Sequence, residues 1–80
     1  PLLPIAKGKN VYKVLSIGFG NTGTPMVTIE SGRETVCYKL PYEYSEWAMT
    51  VVGCANMGEK LVPGEVVFSL ENGKYYADIL

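Results

Sequence analysis

Two kinds of periodicity divide this chain. Val11-Tyr12-Lys13-Val14-Leu15-Ser16-Ile17 is rich in β-formers and reads as a first strand with one face and part of the other buried. Met26 to Glu30 alternates cleanly, with Val27 and Ile29 inward and Met26, Thr28 and Glu30 outward. Ser31-Gly32-Arg33 closes a tight hairpin. Glu34 to Leu40 then returns as a third strand, with Val36, Tyr38 and Leu40 on one face and Thr35, Cys37 and Lys39 on the other; Pro41 stops it. Glu65 to Leu70 and Lys74 to Leu80 make the fourth and fifth strands on either side of Asn72-Gly73, a type I′ hairpin signal.

From Ser45 to Met57 the period changes. Trp47, Val51 and Ala55 recur at i, i+4 and i+8 with Ala48 and Val52 beside them, which predicts one helix over 45–57. Ser45 is the expected N-cap, Glu46 lies near the positive dipole end, and Gly58 suits the left-handed position after the last turn. Thr50-Val51-Val52-Gly53 has weak helix propensity and would also fit a strand, but a strand explains neither the caps nor the stripe. Trp47, on that stripe, is read as core.

The order β-β-β-α-β-β describes a mainly β chain, a small five-stranded barrel of the OB-fold type with its helix between strands three and four. An SH3-like barrel, with only a short helical turn there, is the competing architecture. Residues 1–80 form a single domain, and Pro1 to Asn10, without a sustained period, reads as an N-terminal arm. Gly18 to Pro25, rich in glycine, is the first inter-strand loop. Its glycines superficially fit a dinucleotide fingerprint, but a strand follows where the phosphates need a helix N-terminus.

Composition narrows the chemistry. Seven Lys and Arg against eight Asp and Glu give a net charge of −1, which argues against bulk electrostatic binding of duplex DNA. With no His, the Ser-His and Cys-His dyads and the commonest zinc sites are excluded, and nothing around Glu43 and Glu46 would split their pKa values for acid-base work. The expectation is a binding protein, not an enzyme, with no cofactor or metal. Cys37 and Cys54 allow one disulfide; two buried, reduced thiols in a cytoplasmic setting are the preferred reading. No apolar run approaches a membrane span.

The chain resembles a family of phage-encoded OB-fold proteins that bind single-stranded DNA. The similarity rests on Lys7-Gly8, Tyr12-Lys13-Val14, Gly18-Phe19-Gly20-Asn21-Thr22, Gly23-Thr24-Pro25 and Val27-Thr28-Ile29 in that order, then Cys54-Ala55-Asn56-Met57-Gly58 and Asn72-Gly73-Lys74-Tyr75. The resemblance implies sequence-independent single-strand binding in replication or recombination, in the host cytoplasm. Small size adds the expectation of a homo-oligomer, because linked sites raise avidity.

Single-strand binding needs a basic track and flat aromatic faces. Lys7, Lys9, Lys13, Arg33, Lys39 and Lys60 are candidates for the track, and Tyr12, Phe19, Tyr38 and Tyr75 for stacking. Each has a structural alternative. Phe19 could close the barrel end; Tyr38 shares a face with Val36 and Leu40 and leans to the core. One of Tyr75 and Tyr76 must face inward. Lys39 is equally a solvated lysine, and Lys7, Lys9 and Lys13 could simply solvate the arm. The rival function is a small β-barrel that works by protein-protein contact, as an assembly component or an inhibitor of a host enzyme.

Overall fold

Strand β1 (Gly8–Phe19) is shared by both halves of a single antiparallel sheet. In the computed structural model, which describes residues 1–80, β2 spans Pro25–Ser31, β3 Glu34–Lys39, β4 Gly64–Glu71 and β5 Lys74–Ile79, in the order β3-β2-β1-β4-β5. The first half of β1 pairs with β4, from Gly8 opposite Leu70 to Val14 opposite Gly64. Its second half pairs with β2, from Lys13 opposite Glu30 to Phe19 opposite Pro25. The register slips between Val14 and Ser16, so Leu15 is an extra residue that bends the strand. That slip is the reason the apolar alternation of Val11 to Ile17 is imperfect: Val14 and Ile17 both face inward although three residues apart.

The result is mainly β and barrel-like, with α1 (Ser45–Asn56) between β3 and β4. The sheet does not close, and β3 and β5 are both edges. The expected hairpins are present: Ser31 pairs with Glu34, and Glu71 with Lys74. Asn72 and Gly73 take φ of 53° and 74°, as a type I′ turn demands of both central residues.

The strand alternative for Thr50 to Gly53 does not occur; burial of Ala48 and Val51 against the sheet overrides weak propensity. Gly58, at φ 89°, donates its N–H to the Ala55 carbonyl at 3.0 Å while Glu59 donates to Cys54 at 2.8 Å, a Schellman ending. Two details differ from expectation. A 3-10 turn, Tyr42–Tyr44, runs straight into α1, so Tyr44 holds the N-cap position and the Ser45 hydroxyl donates back to the Tyr42 carbonyl at 2.7 Å. Ala55 is exposed, with Asn56 and Met57 after it.

The core gathers Leu3, Val14, Val27, Ile29, Leu40, Tyr44, Val66 and Phe68. Phe68 lies at its centre, with ring centroids of Tyr44 at 5.3 Å, Trp47 at 5.5 Å and Tyr12 at 6.2 Å. The first two meet it nearly edge-on, the favoured aromatic geometry. Trp47 is half-buried in this cluster. The Tyr44 hydroxyl donates to the Tyr76 carbonyl at 3.0 Å and lies 3.3 Å from that of Ser69, tying the 3-10 turn beneath the β4–β5 hairpin.

Residues 1–10 are not a free arm. Leu3 is 2% exposed, its N–H donates to the Lys39 carbonyl at 2.8 Å, and Lys39 N–H donates to the Pro1 carbonyl at 2.8 Å. The segment then crosses to β1, where the Tyr12 hydroxyl donates to the Pro4 carbonyl and the Asn10 amide donates to the carbonyls of Ala6, at 2.9 Å, and Phe68, at 3.1 Å. Residues 8–10 belong to β1 itself. Leu2, Leu3 and Ile5 carry no period because one exposed backbone edge, not a repeating element, sets their placement.

Two outcomes test this packing. Leu3→Ala should lower unfolding free energy by about 2–4 kcal/mol in urea titration, and Leu2→Ala, at a site 60% exposed, by less than about 0.5 kcal/mol. Burial pushes the Tyr44 phenol up to about 12. Its neutral form is the one the fold favours, so its contribution is intact below pH 10 and is lost as pH rises through about 12. Tyr44→Phe should cost about 1–3 kcal/mol at neutral pH and flatten the alkaline loss of stability relative to the parent.

Candidate nucleic-acid interface

The pleat decides which candidate residues reach solvent. Inward positions on β1 include Asn10, Tyr12 and Val14; on β3, Val36 and Tyr38; on β5, Tyr75, Ala77 and Ile79. Three of the four stacking candidates therefore face the core. Tyr12 packs on Phe68, and desolvation, reinforced by Tyr38, raises its phenol above the usual tyrosine range. Tyr38 is half-buried against the core, and Tyr75 sets its ring 5.5 Å from that of Tyr44. None of these presents an open face to a base. On β5 the exposed aromatic is Tyr76, 50% accessible, so the choice between the two adjacent tyrosines falls the other way from a site at Tyr75.

Phe19 is different. It ends β1 at the barrel rim, opposite Pro25, and is 40% exposed. The following turn is short and bonded to itself: Gly20 N–H donates to the Thr24 carbonyl at 2.8 Å, Gly23 N–H to the Gly20 carbonyl at 3.0 Å, and the Thr22 and Thr24 hydroxyls lie 3.1 Å apart. This turn is a closed tip beside Phe19, too compact to reach over a ligand.

On the outer face of β1, β2 and β3 three rows form. Lys39 lies beside Met26 and Gly18; Cys37 beside Thr28 and Ser16; Thr35 beside Glu30 and Lys13. Arg33, exposed, stands at the hairpin tip beyond the third row. Arg33 and Lys39 are then separated by roughly 20 Å at about 3.3 Å per residue, with a floor of small hydroxyl and thiol side chains between them. Thr28, Ser16 and Thr35 complete this floor, and outward alternation at Met26-Thr28-Glu30 was the available signal for the first of them. Cys37 is exposed and Cys54 half-buried, both free, so the expectation of two buried thiols fails at Cys37: it occupies an outward position on an edge strand.

The basic candidates divide. Arg33 and Lys39 frame the face. Lys13 is held by Glu30 at 2.9 Å, an exposed bridge that raises the ammonium above its usual range and leaves little charge for a ligand. Lys9 is on the outer face but beside β4, opposite Ser69, and Lys7 precedes β1. Lys60 is exposed on the connection after α1 and belongs to none of the three rows. No single track joins all six.

Elsewhere the surface offers little chemistry. One shallow open depression of about 260 Å³ is lined by Tyr42, Glu43, Ser45 and Glu46. No three His, Cys, Asp or Glu side chains converge to hold a metal ion, and no helix is long and apolar enough to cross a membrane. Comparison with family models, curated proteins and solved structures finds no match to the chain.

The two aromatics at opposite ends of this assignment separate experimentally. Phe19→Ala should change stability by less than about 1 kcal/mol, whereas Tyr38→Ala should cost about 2–4 kcal/mol, both read from denaturant midpoints at constant m-value.

Proposed function

We propose that this protein binds single-stranded nucleic acid, DNA by the resemblance in its sequence, along the outer face of β2 and β3. The observation that supports this most is the placement of Arg33 and Lys39 at the two ends of an outer-face floor of small polar side chains on an OB-like sheet, with Phe19 40% exposed at the adjoining rim, on the core-facing side of β1. Two cations about 20 Å apart match a few phosphates of an extended strand, and the Phe19 ring, reached where that strand passes over the rim, supplies a stacking face that tolerates any base. Because the basic residues are few and one of them is neutralised by Glu30, affinity is expected to be modest and to depend on several modules engaging one strand.

A second reading, a protein-contact module, draws on a different surface. Val11, 54% exposed, lies beside Val67 on the outer face of β1 and β4, with Asp78 as the β5 neighbour of Val67 and Tyr76, 50% exposed, in the adjacent row beside Ser69. Binding there would be insensitive to salt.

Fluorescence anisotropy of a labelled oligothymidylate distinguishes the two. The proposal expects binding at low ionic strength that weakens with salt. Arg33→Ala and Lys39→Ala should each reduce the magnitude of the log-log salt slope by about 0.7, and Phe19→Ala should cost about 1–2 kcal/mol of affinity at unchanged stability. Lys60→Ala is the control and should have no effect. No binding at low salt, or equal losses from Lys60→Ala, defeats the proposal.

A further inference from the structure

Strand β5 has no neighbour on its outer side. The Leu80 N–H donates to the Glu65 carbonyl at 3.0 Å, so by antiparallel alternation Lys74, Tyr76 and Asp78 turn their backbone groups toward β4. Tyr75, Ala77 and Ile79 turn theirs to the open edge, and none of these makes a hydrogen bond in a turn, loop or cap or to a side chain. An exposed row of this kind is a template for another strand.

We propose that the occupant is β5 of a second copy of this chain, in antiparallel pairing about a two-fold axis at Tyr76. The charge pattern selects that partner and register. On the outer face Lys74 and Asp78 lie two residues either side of Tyr76, all three exposed. When Tyr76 faces the partner's Tyr76, Lys74 falls opposite the partner's Asp78 and Asp78 opposite the partner's Lys74. Tyr75 and Ala77 then exchange backbone hydrogen bonds with the partner's Ala77 and Tyr75, the groups that the open edge presents. Sliding by two residues keeps the backbone bonds possible but sets Lys74 against the partner's Leu80 and loses both ion pairs. The inference therefore fixes a register, and it stands independently of the nucleic-acid reading.

The other edge lacks these properties. On β3 the last backbone groups, those of Lys39, are taken by Pro1 and Leu3, and the outward residues Thr35, Cys37 and Lys39 offer no complementary charges to a second copy. The joined surface at β5 is small, so the dimer is expected to be weak and to form in the micromolar range or above.

Sedimentation equilibrium over a concentration series reads this directly. The parent should dimerise. Asp78→Lys and Lys74→Asp, which place like charges opposite one another, should each weaken dimerisation by roughly tenfold or more, and the double exchange Lys74→Asp with Asp78→Lys should restore it. In a Cys37→Ser, Cys54→Ser background, Tyr76→Cys should form an intermolecular disulfide on mild oxidation, its Cα atoms lying about 4.5–5.5 Å apart, and Lys74→Cys should not. A protein monomeric at every concentration overturns the proposal. So does a dimer indifferent to both single reversals, or one that the double exchange fails to restore.

Discussion

A five-stranded sheet that stays open between two edges has to cover its concave face without help from closure, and the Phe68 ring is where that constraint is met. Phe68 is fully buried, and three further parts of the chain bring aromatic rings to it: Tyr12 from β1, Tyr44 from the 3-10 turn and Trp47 from α1. Tyr44 adds a polar anchor at the Tyr76 carbonyl, so the helical segment is fixed to the hairpin by direction as well as by area. Leu3, carried in by a segment that borrows backbone bonds from β3, fills the remaining part of the cluster.

This solution has a consequence for function. A chain of this size with six tyrosines has spent several of them on its own interior, and Tyr12, Tyr38 and Tyr75 turn, half-buried, toward the core. The outer surface that remains on β2 and β3 is polar, with a cation at each end, and Phe19 lies past its rim on the core-facing side of β1. Whatever binds there meets hydroxyls, a thiol and a cation at each end, with the Glu30 carboxylate engaged by Lys13 in the third row, a chemistry suited to a phosphate backbone held at modest affinity. The β1–β4–β5 surface mixes Val11, Val67 and Tyr76 with charged residues of both signs and ends at an unpaired edge. The two surfaces lie in opposite halves of the sheet, so a single strand on one leaves the other free for a second copy.

Much of the fold was legible in the sequence because its signals are local. Asn72-Gly73 specified its turn, Met26 to Glu30 and Glu34 to Leu40 alternated cleanly, and the Trp47-Val51 stripe with Gly58 gave the helix. What was illegible depends on distant partners. Leu3 has no periodicity of its own, and its burial follows from the edge of β3. The slip at Leu15 is a register property of the β1–β2 pair, and it blurred the faces of β1. The candidate site was legible only in part for the same reason. Alternation could place Tyr75 and Tyr76 on opposite faces, but which faced inward depended on Tyr44, more than thirty positions away. Likewise, Lys13 looked available until pairing set Glu30 beside it.

The claim that most needs testing is that the polar outer face of β2 and β3, not the sheet edge, receives the ligand. Two-dimensional ¹H–¹⁵N NMR during titration with an oligothymidylate at low ionic strength addresses it residue by residue. Graded amide shifts are expected at Ser16, Phe19, Thr28, Arg33, Cys37 and Lys39, with Tyr75, Ala77 and Ile79 unmoved. Shifts confined to β5, or a spectrum unchanged at saturating oligonucleotide, would contradict it.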